Sequence, residues 1–149
     1  MTRDARRRSR SRTTYLSSPG TPDSPREVEP IALHSDTAEA AEAAASAIDD
    51  KKGLDLVLLD VSTVIVLTDV FVIATGTSSR HVRSLAEEIE AQLSRLDRRP
   101  LRREGMEDGS WVLLDFGDIV VHLFDEETRA YYDLERLWSD APRMAFATG

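Results

Sequence analysis

Val70-Phe71-Val72-Ile73-Ala74-Thr75-Gly76-Thr77-Ser78-Ser79 is the stretch on which the fold turns. Residues 70–75 are apolar or β-branched without a break, the composition of a strand buried on both faces. Gly76 stops that run, and Thr77, Ser78 and Ser79 supply hydroxyls that cap a helix. Beyond them Val82, Leu85, Ala86, Ile89, Leu93 and Leu96 recur at helical spacing, while Arg83, Glu87, Glu88 and Glu90 take the wet side. A buried strand feeding an amphipathic helix is the elementary unit of an α/β fold.

Working outward, residues 54–61 read as a second buried strand, and residues 64–67 either prolong it or form a turn. Before them lies a helix rich in alanine, the best helix former, with seven alanines between Ala38 and Ala47. Asp36 and Glu39 have the spacing of a capping box at its start, and Gly53 suits the left-handed position after its end. Downstream, Pro100 closes the second helix, and residues 101–104 suit a short edge strand between it and Gly105. Residues 111–116 and 119–124 flank Gly117-Asp118 as a hairpin. A last helix is expected over 126–138. The whole is α/β, with a single mixed sheet of about five strands and flanking helices.

Charge divides the chain. Residues 1–12 carry six Arg against Asp4 alone, a local charge of +5, so the net −8 of the 149 residues leaves −13 on the rest. Such an acidic body argues against wrapping a phosphate backbone and suits a basic protein partner, although acidity also serves solubility alone. Residues 1–33, with four of the six prolines and few apolar side chains, are expected to be a disordered tail. The Arg and Ser of its first 18 residues are similar to an organellar transit peptide; a bacterial tail or an upstream start accounts for them equally. The domain is expected over 34–142, with a short tail at 143–149. With no cysteine, disulfide scaffolds and thiolate chemistry are excluded. No apolar run reaches the ~18–20 residues of a membrane span, and no secretory signal is seen, so a cytoplasmic location is expected.

Catalytic patterns are sparse. The chain has no Walker loop or dinucleotide fingerprint, and His34, His81 and His122 lack the spacing of a zinc site. His122, in mid-strand, reads as structural. Gly76-Thr77-Ser78-Ser79 favours anions weakly, as the corner of a nucleotidyltransferase does, but the carboxylate pair expected shortly after that corner is absent. Asp115 and Asp118 straddle a turn instead. Neither a metal nor another cofactor is expected. The remaining concentration is aromatic: Trp111, Tyr131, Tyr132 and Trp138 include both tryptophans and two of three tyrosines. On one continuous helix Tyr131, Leu134 and Trp138 would share a face toward the core, leaving Tyr132, Glu135 and Arg136 elsewhere. Core packing and an exposed interface patch are the two readings of this cluster.

Taken in order, several blocks resemble the ribosomal silencing factor, or Iojap-like, family. They are Asp50-Lys51-Lys52 with Leu56-Val57-Leu58-Leu59-Asp60-Val61, then Thr68-Asp69 running into Val70 and on to Ser78. The hairpin from Trp111 to Phe124 follows, and last Arg129-Ala130-Tyr131-Tyr132-Asp133-Leu134-Glu135-Arg136-Leu137-Trp138. The likeness covers about residues 37–142. Small departures are Val70 ahead of Phe71 after the Thr-Asp pair, and Ala130 where a larger polar residue is common. The resemblance implies a nucleotidyltransferase-like outline without a catalytic site. It also implies binding to protein fourteen of the large ribosomal subunit, which prevents joining with the small subunit when nutrients are scarce. Trp111, Tyr131, Tyr132, Asp133, Glu135 and Trp138 are the expected partner-binding residues, the aromatics as anchors and the two acids facing basic groups across the interface. No sequence-specific nucleic-acid contact and no membrane partner are expected. The competing readings are a nucleotidyltransferase-like enzyme centred on Gly76 and Ser78, and a homodimeric interaction module joined through a sheet edge.

Overall fold

A computed structural model describes residues 34–145. The expected N-terminal tail lies outside the described residues, as do the last four positions. The elements are α1 (Ser35–Asp50), β1 (Leu54–Asp60), β2 (Val70–Gly76), α2 (Ser79–Ser94), β3 (Arg102–Glu104), β4 (Trp111–Asp115), β5 (Ile119–Asp125), α3 (Glu126–Tyr132), α4 (Leu134–Leu137) and β6 (Arg143–Met144). They form one mixed sheet in the order β3-β4-β5-β2-β1-β6. β2 and β5 run parallel at its centre, with Val72 opposite Val121 and Ile73 opposite His122, and every other pairing is antiparallel.

The fold class is as the sequence predicts, with six strands rather than about five. The extra strand is β6, where Met144 pairs with Leu58 and Arg143 with Leu59. The sheet therefore continues into the segment expected to be tail from residue 143. A two-residue strand has no alternation to read, so its pairing partner decides it. Residues 64–67 resolve as a loop.

The two faces of the sheet are covered differently. On one, α1 and α2 lie over Val70, Val72, Ala74, Val112, Leu114, Val121 and Leu123, all buried. The alanines of α1 serve twice, as helix formers and as small side chains at the contact; Ala40, Ala44, Ala45 and Ala47 have no exposed surface. Val82, Leu85, Ala86, Ile89 and Leu93 of α2 are buried as their spacing requires, each large one contributing about 1.5–3 kcal/mol. Leu96 falls past the end of the helix and is half-buried. The opposite face carries Leu59, Phe71, Ile73 and Phe124, covered by the short C-terminal segments through Leu134, Trp138 and Ala141.

Three local expectations change. The capping box of α1 does not form: the helix begins at Ser35 with no side-chain cap, so Asp36 sits in its first turn, where it favours the positive helix end. Lys52, not Gly53, takes the left-handed conformation, and the Gly53 N–H donates to the Ile48 carbonyl over 2.8 Å. Gly53 is required for packing, because a Cβ there would meet Ile48 Cγ2 at 2.5 Å. Finally, the single helix expected over 126–138 breaks at Asp133, whose backbone is left-handed with φ 49°. Asp is one of the few residues that visit this conformation readily.

Candidate partner-binding site

β4, β5 and β2 place Trp111, His122 and Phe71 on the face away from α1 and α2, because alternate residues of paired strands share a face. The rings form a continuous chain. Tyr131 meets Tyr132 edge-on at 5.0 Å, Tyr132 lies 4.6 Å from Trp111, and Trp111 lies 4.9 Å from Phe124. Trp111 Nε1–H donates to His122 Nδ1 over 3.3 Å, His122 meets Phe71 edge-on at 4.7 Å, and Phe71 meets Trp138 at 5.9 Å. Edge-to-face and tilted pairs at these separations contribute about 0.5–1.5 kcal/mol beyond area burial. Phe124 is fully buried in the core, Trp138 is half-buried, and Tyr131 at the other end is 80% exposed; Leu137, beside Trp138 in the sequence, is 68% exposed.

Breaking the helix at Asp133 reverses the expected division of faces. Tyr131, Leu134 and Trp138 do not share one face: Tyr131 points to solvent, Leu134 is buried, and Trp138 is half-buried against Phe71. Tyr132 leans on Trp111. Asp133 is the hinge residue, and its N–H donates to the Arg129 carbonyl. Glu135, expected to face a basic group across an interface, is instead paired within the chain. Its two carboxylate oxygens accept from Arg129 Nε at 3.1 Å and Nη2 at 2.6 Å. That bond is the main cause of the lowered pKa of Glu135. Arg129 also donates to Thr75 Oγ1 of β2 and to the Asp55 carbonyl of β1, so one guanidinium ties α3 and α4 to two strands.

Arg129, Phe71 and His122 are the site-building residues that spacing did not single out. Strand alternation was the available signal for Phe71 and His122, but it required the register of β2 on β5. His122 is buried, which lowers its pKa to about 4. With Nδ1 accepting from Trp111, the neutral ring carries its proton on Nε2, which has no hydrogen-bond partner among the described residues. Around the exposed tyrosines the charge is acidic: residues 125–140 hold six Asp and Glu against Arg129 and Arg136.

The corner at Gly76 is arranged otherwise than a nucleotide site. Ser78 Oγ accepts from the His81 N–H, and the Thr77 N–H donates to His81 Nδ1, so groups of the chain itself take up part of this corner. Buried Asp60 and half-buried Asp69 and Asp118 gather at the far end of β2, about 20 Å away at ~3.3 Å per residue. There Asp118 accepts from Thr37, and Asp69 has its pKa raised by burial and then by Asp118 and Asp60. Asp125 lies opposite Gly76, but its carboxylate caps α3 through the Thr128 N–H. Among the described residues no group of three or more His, Asp or Glu is placed to hold a metal ion, and no helix is long and apolar enough to cross a membrane.

The family model described as "Ribosomal silencing factor during starvation" matches residues 34–148. The chain belongs to the ribosomal silencing factor family. The family's description is that of a regulatory protein. Among its relatives, the ribosomal silencing factor of Bacillus subtilis is 41% identical over 99 residues, spanning 66% of this chain and 84% of that protein. A mouse protein named "Mitochondrial assembly of ribosomal large subunit protein 1" is 33% identical over 97 residues, or 63% of this chain and 42% of that one. A crystal structure from Chromobacterium violaceum superimposes with a TM-score of 0.68 at 38% identity, covering 76% of this chain and 93% of the other.

Proposed function

We propose that this ribosomal silencing factor is a non-enzymatic repressor of translation. It docks on the large ribosomal subunit, on protein fourteen at the face that meets the small subunit, and its bulk prevents joining when nutrients are scarce. The observation that carries this reading is the half-exposed aromatic chain with its acidic surround. Tyr131 and Leu137 offer apolar area to a partner, while Trp111 supports Tyr131 through Tyr132 and Trp138 anchors the segment on Phe71. The composition is that of an interface hot spot, rich in Tyr and Trp. Glu126, Glu127 and Asp133 around it favour encounter with a basic protein, which steers association more than it adds affinity. The large-subunit name of the mouse relative supports the choice of subunit.

The test is a sucrose gradient of the purified protein with separated ribosomal subunits. Co-migration with the large subunit, and fewer joined ribosomes when Mg²⁺ favours joining, is the expected result. Protein left at the top of the gradient with normal joining would refute it. Substituting Trp111 by Ala in a folded protein is expected to weaken binding by ~2 kcal/mol or more, roughly thirtyfold. Cross-linking to protein fourteen tests the docking partner.

A further inference from the structure

Net charge conceals a local reversal. Residues 34–145 hold 12 Lys and Arg against 23 Asp and Glu. Five of those cations and one of those anions lie in residues 95–103, giving +4 there and −15 on the remainder. The five are Arg95, Arg98, Arg99, Arg102 and Arg103. They follow the end of α2 and continue onto β3, the free edge of the sheet.

The fold sets these residues on both sides of that edge: Arg102, opposite Asp115, takes the face of Trp111, and Arg103, opposite Leu114, takes the face of α2. Arg98, Arg99 and Arg103 line one cavity of about 510 Å³ with Glu87 and Glu90. Part of the charge has structural work: Arg98 pairs with Asp118, and Arg103 with Glu90 at 3.0 Å. Arg102 lies 3.3 Å from Glu104 and 3.7 Å from Asp115, with its side chain 59% exposed, and such surface pairs hold an Arg loosely. Arg95 and Arg99 are exposed and have no ion pair among the described residues. Protection of a sheet edge explains charge on β3, and a helix C-terminus explains a cation at Arg95. Neither explains Arg99.

We propose that Arg95, Arg99 and Arg102 form a contact for the sugar-phosphate backbone of RNA, without base specificity. Guanidinium forks match phosphate oxygens bidentately, where lysine supplies a point charge. The strip lies on elements other than α3 and α4, which carry Tyr131 and Leu137. The −15 on the rest of residues 34–145 disfavours RNA elsewhere on the domain, so this strip orients the protein on a nucleic-acid surface rather than coating it. The choice of RNA among polyanions rests on the large-subunit reading above.

The test is fluorescence anisotropy of a labelled duplex RNA with the full chain and with the triple variant Arg95→Gln/Arg99→Gln/Arg102→Gln. Three phosphate contacts give a log–log salt slope of about −2.7, or ~40-fold lost affinity between about 50 and 200 mM salt, and the triple variant is expected to lose that share. Arg80→Gln, fifteen residues earlier on α2 and about 22 Å away, is expected to change nothing. Failure of the wild type to bind the duplex at low salt overturns the proposal. So does a triple variant with unchanged slope, which would assign binding to the six Arg of residues 1–12. An equal loss in Arg80→Gln, or tighter binding of a poly-glutamate peptide than of RNA, overturns it too. Co-migration of the wild type with large subunits, without RNA binding, removes this proposal and leaves the repressor reading standing.

Discussion

Replacing Arg129 by Ala removes the side chain whose hydrogen bonds tie the aromatic segment to the sheet. Its guanidinium donates four hydrogen bonds, to Thr75, to the Asp55 carbonyl and twice to Glu135, and its side chain is 11% exposed. Summing four charge-assisted bonds at about 1.5–3 kcal/mol each overstates the loss, because the native state already bears the cost of desolvating the guanidinium. Removing one partner of a buried pair costs about 3–5 kcal/mol when the other charge is stranded. Glu135 keeps 20% of its side chain exposed, so water recovers part of that cost and the low end applies, about 3 kcal/mol. With a urea m-value near 1.5 kcal/mol/M, the midpoint drops by about 2 M. The assay is urea unfolding followed by fluorescence, for which both tryptophans, Trp111 and Trp138, report from the aromatic chain. Arg129→Lys is expected to rescue little, since lysine lacks the fork that serves Glu135 and Thr75 together. Acid provides a second readout. The pKa of Glu135 is lowered in the folded state, so its stabilisation is full above the ordinary value of 4.5 and is lost as pH falls through the depressed one. That acid loss is expected to vanish in Arg129→Ala. A midpoint shift worth under ~1 kcal/mol, or unchanged acid behaviour, would refute the reasoning.

His122 titrates at about 4 in the folded chain against 6.5 when exposed, so the unfolded state takes up its proton first. Stability is expected to fall by about 3 kcal/mol as pH drops from 6.5 toward 4, and that share is expected to be missing from His122→Gln in paired unfolding curves. Gly105 and Gly117 both have positive φ, but a Cβ on Gly105 meets the Trp111 carbonyl oxygen at 1.9 Å whereas Gly117 has 3.5 Å of space. Thermal unfolding is expected to show about 1–2 kcal/mol lost for Gly117→Ala and clearly more for Gly105→Ala. Tyr131→Ala is expected to leave stability within about 0.5 kcal/mol, since the ring is mostly in water, while weakening large-subunit binding roughly thirtyfold in a co-sedimentation titration.

Much of this architecture is written in local pattern. The buried strand before Gly76 is an unbroken apolar run, and the apolar face of α2 and the hairpin around Gly117 follow the periods of 3.6 and two that the backbone imposes on any chain. The block from Trp111 through Trp138 marked the aromatic cluster, and the ordered blocks marked the family. What local pattern does not carry is which residues meet across strands. Phe71 and His122 joined the site through the parallel register of β2 on β5, and β6 exists because β1 leaves an edge for it. The break at Asp133 is the clearest case. Sequence periodicity favoured one helix over 126–138, and nothing within that helix forbids it. Burial of Leu134 and the reach of Arg129 to Thr75, Asp55 and Glu135 favour a left-handed residue at 133. Those partners lie more than fifty residues away in β1 and β2, except for Glu135 itself. Helix propensity differs by tenths of a kcal/mol per residue, whereas a buried charge left unpaired costs several, so the tertiary contacts decided which tyrosine packs and which faces solvent.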